Sequence, residues 1–355
     1  MYDRFVKPLL FRMDPERSHD LALASLSLAG RVWARTATSP AADPRLAVEV
    51  CGLRFASPVG LAAGCDKAGR ALWAWPRLGF GFVEVGTVTP RPQPGNPRPR
   101  IFRLPEDEAL INRLGFNSPG AAVVAERIAR ARRAGAYPIP LAVNIGKNKT
   151  TPLERAADDY VDALDRLHAH ADFIVVNLSS PNTPGLRALQ ARDAAVPLLE
   201  ALAARNRSLG EKPLFVKVAP DMSPEELEAV ADAIRGRAHG LVATNTTIRR
   251  DGLRSPRGRE SGGLSGAPVR RLATDAVRVL SRATGGQVPI IGVGGIMTAE
   301  DAYEKIKAGA ALVEVYTGFV YGGPRWPRRV TQGLVRLLER DGLRTLRDAV
   351  GVESR

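Results

Sequence analysis

Cysteine, histidine and lysine are all scarce in this 355-residue chain, and each scarcity excludes something. Two cysteines, Cys51 and Cys65, cannot hold an iron–sulfur cluster, which takes four thiolates or a mixture with histidine. Four histidines, at 19, 168, 170 and 239, do not suggest a zinc site, so no metal is expected. A chain this long buries about three quarters of its unfolded surface and needs no disulfide staples. Two thiols then suit a reducing compartment. No run of about 20 apolar residues is present, so no membrane-spanning helix is expected. The N-terminus also lacks the apolar core and cleavage site of a secretory signal. No GxGxxG follows the first strand-like run, and a Rossmann-type nicotinamide site is therefore unsupported.

What is present is ordinary for a globular protein: 45% hydrophobic and 25% charged residues. The net charge of +14 could mark a nucleic-acid or anionic membrane surface. However, arginine supplies 43 of the 51 basic residues and is spread along the whole chain, so a general preference for arginine explains most of the excess. Against that background the few lysines stand out. Lys67 and Lys217 both fall at the ends of strand-like runs, where a mobile cation has chemical uses.

Eight β-branched runs recur, at 57–64, 80–88, 140–146, 173–180, 214–220, 240–247, 289–295 and 311–318. They are continuously apolar rather than alternating, as in strands buried on both faces of a parallel sheet. Helix starts follow several of them. Thr151-Pro-Leu-Glu154, Ser223-Pro-Glu-Glu226 and Thr298-Ala-Glu-Asp301 each pair a capping hydroxyl with an acid three residues on. Eight strand–helix repeats with no second domain's worth of chain left over predict an α/β fold, a single (β/α)8 TIM barrel. Every run ends in polar or glycine residues, which in this fold form the floor of an active site.

Three features lie outside the repeat. Residues 45–56 are expected to form a short hairpin closing the barrel's bottom. The Pro- and Arg-rich connection from Val88 to Pro119, about thirty residues, is far longer than usual and reads as a functional cover. The segment 248–263 reads as a mobile loop. Ahead of the barrel, Tyr2, Phe5, Val6, Leu9 and Leu10 have the spacing of an amphipathic helix. A second helix starts at Asp14-Pro15 and carries Leu21, Leu23, Leu26 and Leu28 on more than one side. Such a pair either docks on the barrel wall or also offers an apolar face to something else. The expected division is residues 1–40 for this helical segment and 41–355 for the barrel.

Gly292-Val-Gly-Gly295 and Tyr316-Thr-Gly318 follow the seventh and eighth runs, the usual phosphate site of a (β/α)8 barrel. A phosphate-bearing ligand is expected there.

Taken together, several motifs resemble the dihydroorotate dehydrogenase family. They include AAGCDK (62–67), INRLGFNSPG (111–120), VNIGKNK (143–149), NLSSPNTPGLR (177–187), ATNTT (243–247), IIGVGGI (290–296) and YTGFVYGGP (316–324). The match runs in order from about residue 1 to 335 and rests on no single motif. The resemblance implies FMN as cofactor, held by Ala63, Gly64, Cys65, Asp66, Lys67, Thr87, Asn144, Asn177, Lys217, Thr244, Gly266, Gly295, Tyr316 and Thr317. It implies dihydroorotate as substrate, gripped by Lys67, by Asn112, Arg113, Leu114, Gly115 and Phe116, and by Asn177, Asn182, Asn245 and Thr246. Asparagine side chains offer both donors and acceptors to a planar pyrimidine edge, and a lysine suits the carboxylate. Lys217 would stabilise negative charge on the flavin.

By the same resemblance, Ser180 is the base that takes a proton from the substrate. Thr183 would relay the proton and Phe116 would shield the path. The soluble class has cysteine where Ser180 stands, so the serine and the N-terminal helices resemble the quinone-linked class. His19, Arg103 and Tyr316 would face the quinone. Cys65 departs from the larger apolar residue frequent in the family. The expected setting is peripheral, on the cytoplasmic face of a bacterial cell membrane, as a monomer without nucleic-acid partners. The alternatives are a soluble fumarate- or NAD-linked enzyme of this family and an RNA-acting dihydrouridine synthase. The latter uses a catalytic cysteine and would be expected to carry an RNA-binding domain.

Overall fold

The computed structural model describes residues 2–33, 42–135 and 137–354. All eight strand-like runs form strands: β1 (Val59–Leu61), β2 (Phe82–Val88), β3 (Leu141–Ile145), β4 (Phe173–Asn177), β5 (Leu214–Val218), β6 (Gly240–Ala243), β7 (Ile290–Val293) and β8 (Ala310–Val315). They pair in parallel in chain order, and the sheet closes where Glu314 of β8 lies beside Gly60 of β1. The expected (β/α)8 barrel is therefore observed.

Below, the expected hairpin forms between Val48–Val50 and Leu53–Phe55. Phe55 reaches into the barrel, its ring 5.3 Å from that of Phe82 and 6.1 Å from that of Phe173. Phe215 continues the cluster at 5.6 Å from Phe173. Edge-to-face pairs of this kind contribute about 0.5–1.5 kcal/mol each beyond their burial. The rings dictate two glycines: a Cβ at Gly60 would lie 2.3 Å from Phe82, and one at Gly240 2.2 Å from Phe215. Two residues up the same strands, alternation returns the side chain to the interior. There Phe82 gives way to Glu84, Ala142 to Asn144, Phe215 to Lys217 and Leu312 to Glu314, so the filling turns from aromatic to ionic.

The capping boxes at Ser223 and Thr298 form as expected. The one at Thr151 does not. A 3-10 turn, Leu153–Arg155, precedes the helix Ala156–Leu167, and the Thr151 hydroxyl donates instead to Asp159 Oδ2 at 2.6 Å. That carboxylate also receives the Asn148 N–H, making it a stronger acceptor than a helix terminus has to offer.

The two long connections meet. Strands Ile101–Leu104 and Ala109–Asn112 form a hairpin, and Gly263–Gly266 adds antiparallel to its second strand. The segment expected to be a mobile loop, 248–263, is thus anchored at its end, where Gly263 opens the third strand of a sheet over the barrel mouth. Asp107 holds it further, accepting the backbone N–H groups of Arg254 and Ser255 at 3.0 Å each.

At the N-terminus, a π-helical turn over Tyr2–Val6 runs into helix α1 (Lys7–Arg12), and α2 spans Pro15–Trp33. Asp14 caps α2 as expected, accepting from the Glu16 and Arg17 amides. Leu23 is buried, whereas Phe5, Leu9, Leu21, Leu28 and Val32 are 50–67% exposed. Glu16 fastens α2 to the cover: its carboxylate takes Arg100 at 2.7 Å and Arg98 at 2.9 Å. The boundary expected at residue 40 lies outside the described residues.

Candidate active site

The C-terminal strand ends and the covering sheet enclose one polar pocket. Its walls include Ala63, Gly64, Lys67, Thr87, Asn112, Leu114, Gly115, Phe116, Asn177, Ser180, Asn182, Lys217, Thr244, Asn245, Thr246, Gly266, Gly295, Tyr316 and Thr317. Sequence reasoning had pointed to every one of these residues.

The asparagines form a connected set. Asn177 donates to Thr87 Oγ1 at 2.8 Å, and Asn245 donates to Ser179 Oγ at 3.0 Å and Asn177 Oδ1 at 3.3 Å. Asn182 donates to Asn112 Oδ1 at 3.3 Å, joining the β4 loop to the cover. Lys67 donates to Asn117 Oδ1 at 2.8 Å. Burial, aided by Arg100, lowers the Lys67 ammonium to about 8, so it remains mostly charged at neutral pH. Ser180 is buried on the loop after β4, its Oγ accepting the Asn182 N–H at 3.3 Å. Phe116 adopts a positive φ of 53°, uncommon for a bulky residue, and lines the same space.

Several expected residues stand outside the lining. Asn144 lies behind Asn177, donating to Glu84 Oε1 at 2.5 Å. Thr183 is buried beyond Ser180. Asp66, named for cofactor contact, turns away: its carboxylate takes the amides of Arg70 and Ala71 and the Trp75 indole. Arg113 points off the cover, pairing with Glu260 at 2.7 Å above the Phe102 ring. Cys65 faces a different space altogether.

That space is an apolar cavity of about 630 Å³ between the helical pair and the barrel. Leu10, Phe11, Leu23, Cys65, Phe319 and Tyr316 line it, together with His19 and Arg103. Tyr316 lines both cavities and is the wall between them. The His19 ring centre is 6.4 Å from that of Tyr316. Burial, with Lys67 nearby, lowers its pKa to about 4, so the imidazole is neutral at pH 7. Arg103 is fixed by the carbonyls of Phe11 and Met13 and by the Ser18 hydroxyl.

Two residues that sequence reasoning missed are Glu84 and Glu314, both fully buried on β2 and β8 beside Lys217. A lone acid in an otherwise apolar strand run was the available signal. Among the described residues no cluster of side chains could hold a metal ion.

A flat cofactor with a phosphate tail fits this site. Gly64 has a φ of +99°, and a Cβ there would meet no protein atom within 4 Å, so the backbone borders open space along the pocket. Gly294 and Gly295, both with positive φ, and the start of the helix Thr317–Gly322 border its other end. The fold and site thus define a (β/α)8 barrel with room at its strand ends for a flat, phosphate-bearing cofactor.

Comparison with known proteins narrows this. Residues 45–338 match the family model for dihydroorotate dehydrogenase. A dihydroorotate dehydrogenase (quinone) of Anaeromyxobacter dehalogenans strain 2CP-1 is 56% identical, covering 99% of this chain and 96% of its own. A protein of the same name from Thermus thermophilus is 53% identical over 95% of this chain and 97% of its own. The crystal structure of an Eimeria tenella DHODH in complex with ferulenol superposes with a TM-score of 0.90 at 43% identity, covering 96% of each chain. The chain belongs to the dihydroorotate dehydrogenase family, whose members are flavoenzymes.

Proposed function

We propose that this protein oxidises dihydroorotate to orotate with FMN as its flavin and a membrane quinone as final acceptor. One observation carries the reading: an asparagine-lined pocket and an apolar cavity share Tyr316 as a lining residue. A small polar substrate and a lipid-soluble acceptor need just such different surroundings on two sides of one redox group.

FMN would be held along Ala63, Gly64, Thr87, Asn177 and Lys217, with its phosphate at Gly295 and Thr317. When bound, it accepts the hydride that leaves one substrate ring carbon. Lys67 holds the substrate carboxylate, while Asn112, Asn177, Asn182 and Asn245 match the donors and acceptors of the pyrimidine edge. Ser180 takes the proton from the neighbouring carbon. Its hydroxyl is far too weak a base to keep that proton, so Thr183 passes it onward and Phe116 shields the path. Two electrons and two protons leave the substrate, and the quinone takes up the same number.

Residues 1–40 form the segment that rests on a membrane, and 41–355 the catalytic barrel. The exposed Phe5, Leu9, Leu21, Leu28 and Val32 support peripheral attachment, since no described helix is long and apolar enough to cross a bilayer. His19 and Arg103 would face the quinone beside Tyr316. The cytoplasmic face, a monomeric state and the absence of nucleic-acid partners complete the proposal. Anaerobic titration tests it: dihydroorotate should bleach the flavin, and added decylubiquinone should restore the colour. A colourless preparation, or colour restored by fumarate or NAD but not by quinone, overturns it.

A further inference from the structure

The barrel interior holds three ionisable groups directly under the pocket. Lys217 Nζ is 3.3 Å from Glu84 Oε1 and 3.8 Å from Glu314 Oε2, and neither carboxyl group has any exposure. Glu84 Oε1 collects both available donors, Lys217 and the Asn144 amide. Glu84 Oε2 and both oxygens of Glu314 have no hydrogen-bond partner. Glu314 also lines the pocket. Opposite it, β1 contributes Gly60 and β7 Val293. Among the described residues, the charges bearing on Glu314 are those of Glu84 and Lys217.

One ammonium cannot balance two buried carboxylates, and an unpaired carboxylate in a dry interior carries a large desolvation penalty. A proton between the two carboxyl groups resolves both problems. It leaves one negative charge against one positive and gives two of the orphaned oxygens a shared hydrogen bond. We infer that Glu314 holds this proton, shared with Glu84, and that the resulting neutral floor helps set the reduction potential of the flavin bound above it. Burial and the adjacent Glu84 both push the Glu314 carboxyl well above the usual range, in agreement with the geometry. An ionised Glu314 would give the floor a net negative charge and disfavour electron uptake; the protonated form leaves Lys217 balanced by Glu84 alone and the floor neutral. Glu314 is in this sense a positioning residue, since it acts by fixing the charge state around Lys217. The electrochemical half of the inference rests on the flavin reading above.

Infrared spectroscopy and redox titration of the holoenzyme, wild type against Glu314→Gln, test it. Glutamine preserves the neutral charge and a hydrogen-bond donor. The expected result at pH 7 is a protonated-carboxyl stretch in the wild-type-minus-variant spectrum and a flavin potential in the variant equal to that of the wild type. Absence of the band overturns the inference, as does a higher potential in the variant, which would mark Glu314 as an anion. If the variant does not fold, the oxidised-minus-reduced spectrum of the wild type must itself show a perturbed protonated carboxyl, and its absence is equally decisive. A protein that binds no flavin would still show the carboxyl band, so failure of the flavin reading is distinguishable from failure of this one.

Discussion

The two cavities that share Tyr316 are built on opposite plans. The strand-end pocket is assembled from the ends of seven of the eight strands and the covering sheet, and its side chains are cross-linked by hydrogen bonds from Thr87 to Asn245. The cavity under the helical pair is lined mainly by hydrocarbon and held from the N-terminal side by a few polar clasps, chiefly Glu16 with Arg100 and Arg103 with Ser18. Recognition by hydrogen bonds demands rigid placement, because a misplaced donor leaves a buried polar group unmatched. Recognition by apolar contact is indifferent to orientation and tolerates a looser wall. The two plans suit a substrate that must be oriented and an acceptor that has only to come near.

The sharpest way to break this contrast is on the polar side. Ser180→Ala is expected to slow flavin reduction by dihydroorotate roughly 10²–10⁴-fold, with quinone reoxidation intact. Stopped-flow bleaching at the wild-type rate would remove Ser180 from the chemistry. On the apolar side, Glu16→Ala strips the buried Arg100 of its carboxylate, a loss of about 3–5 kcal/mol for a broken buried pair. The helical pair should loosen, lowering quinone turnover while anaerobic flavin reduction continues. Equal loss in both half-reactions would show that the two regions are not separable.

The smallest effect is in pH. His19 in the folded protein has its pKa depressed by burial to about 4, against an unfolded value of 6.5. Its stabilising contribution is therefore complete above pH 6.5 and is lost as pH falls towards 4. The melting temperature should drop more between pH 7 and pH 5 in the wild type than in His19→Gln. Parallel drops would mean that the imidazole is not the sensor.

The barrel was legible because its signals are local: apolar runs, polar strand ends and capping hydroxyls each fall within a few neighbouring residues. The rim of the pocket was legible for the same reason, with the family motifs adding the roles. The covering sheet was not, since IFRL, ALIN and GLSG are too short to show a period and the third lies about 150 residues from the others. The directions of the Asp66 and Arg113 side chains were not legible, because adjacency in a motif carries no information about direction. Asp66 points into the turn that follows, and Arg113 across to Glu260. Glu84 and Glu314 escaped notice because their meaning lies in each other, 230 residues apart in sequence and one lysine apart in space.

The aromatic stopper made by Phe55, Phe82, Phe173 and Phe215 has a wider consequence. Corked at its foot, the barrel is a cup and not a pipe. Nothing can drain through it, so every reactant, proton and electron carrier must come and go across the brim. The crowding of chemistry onto that rim is thus imposed from the opposite end of the molecule.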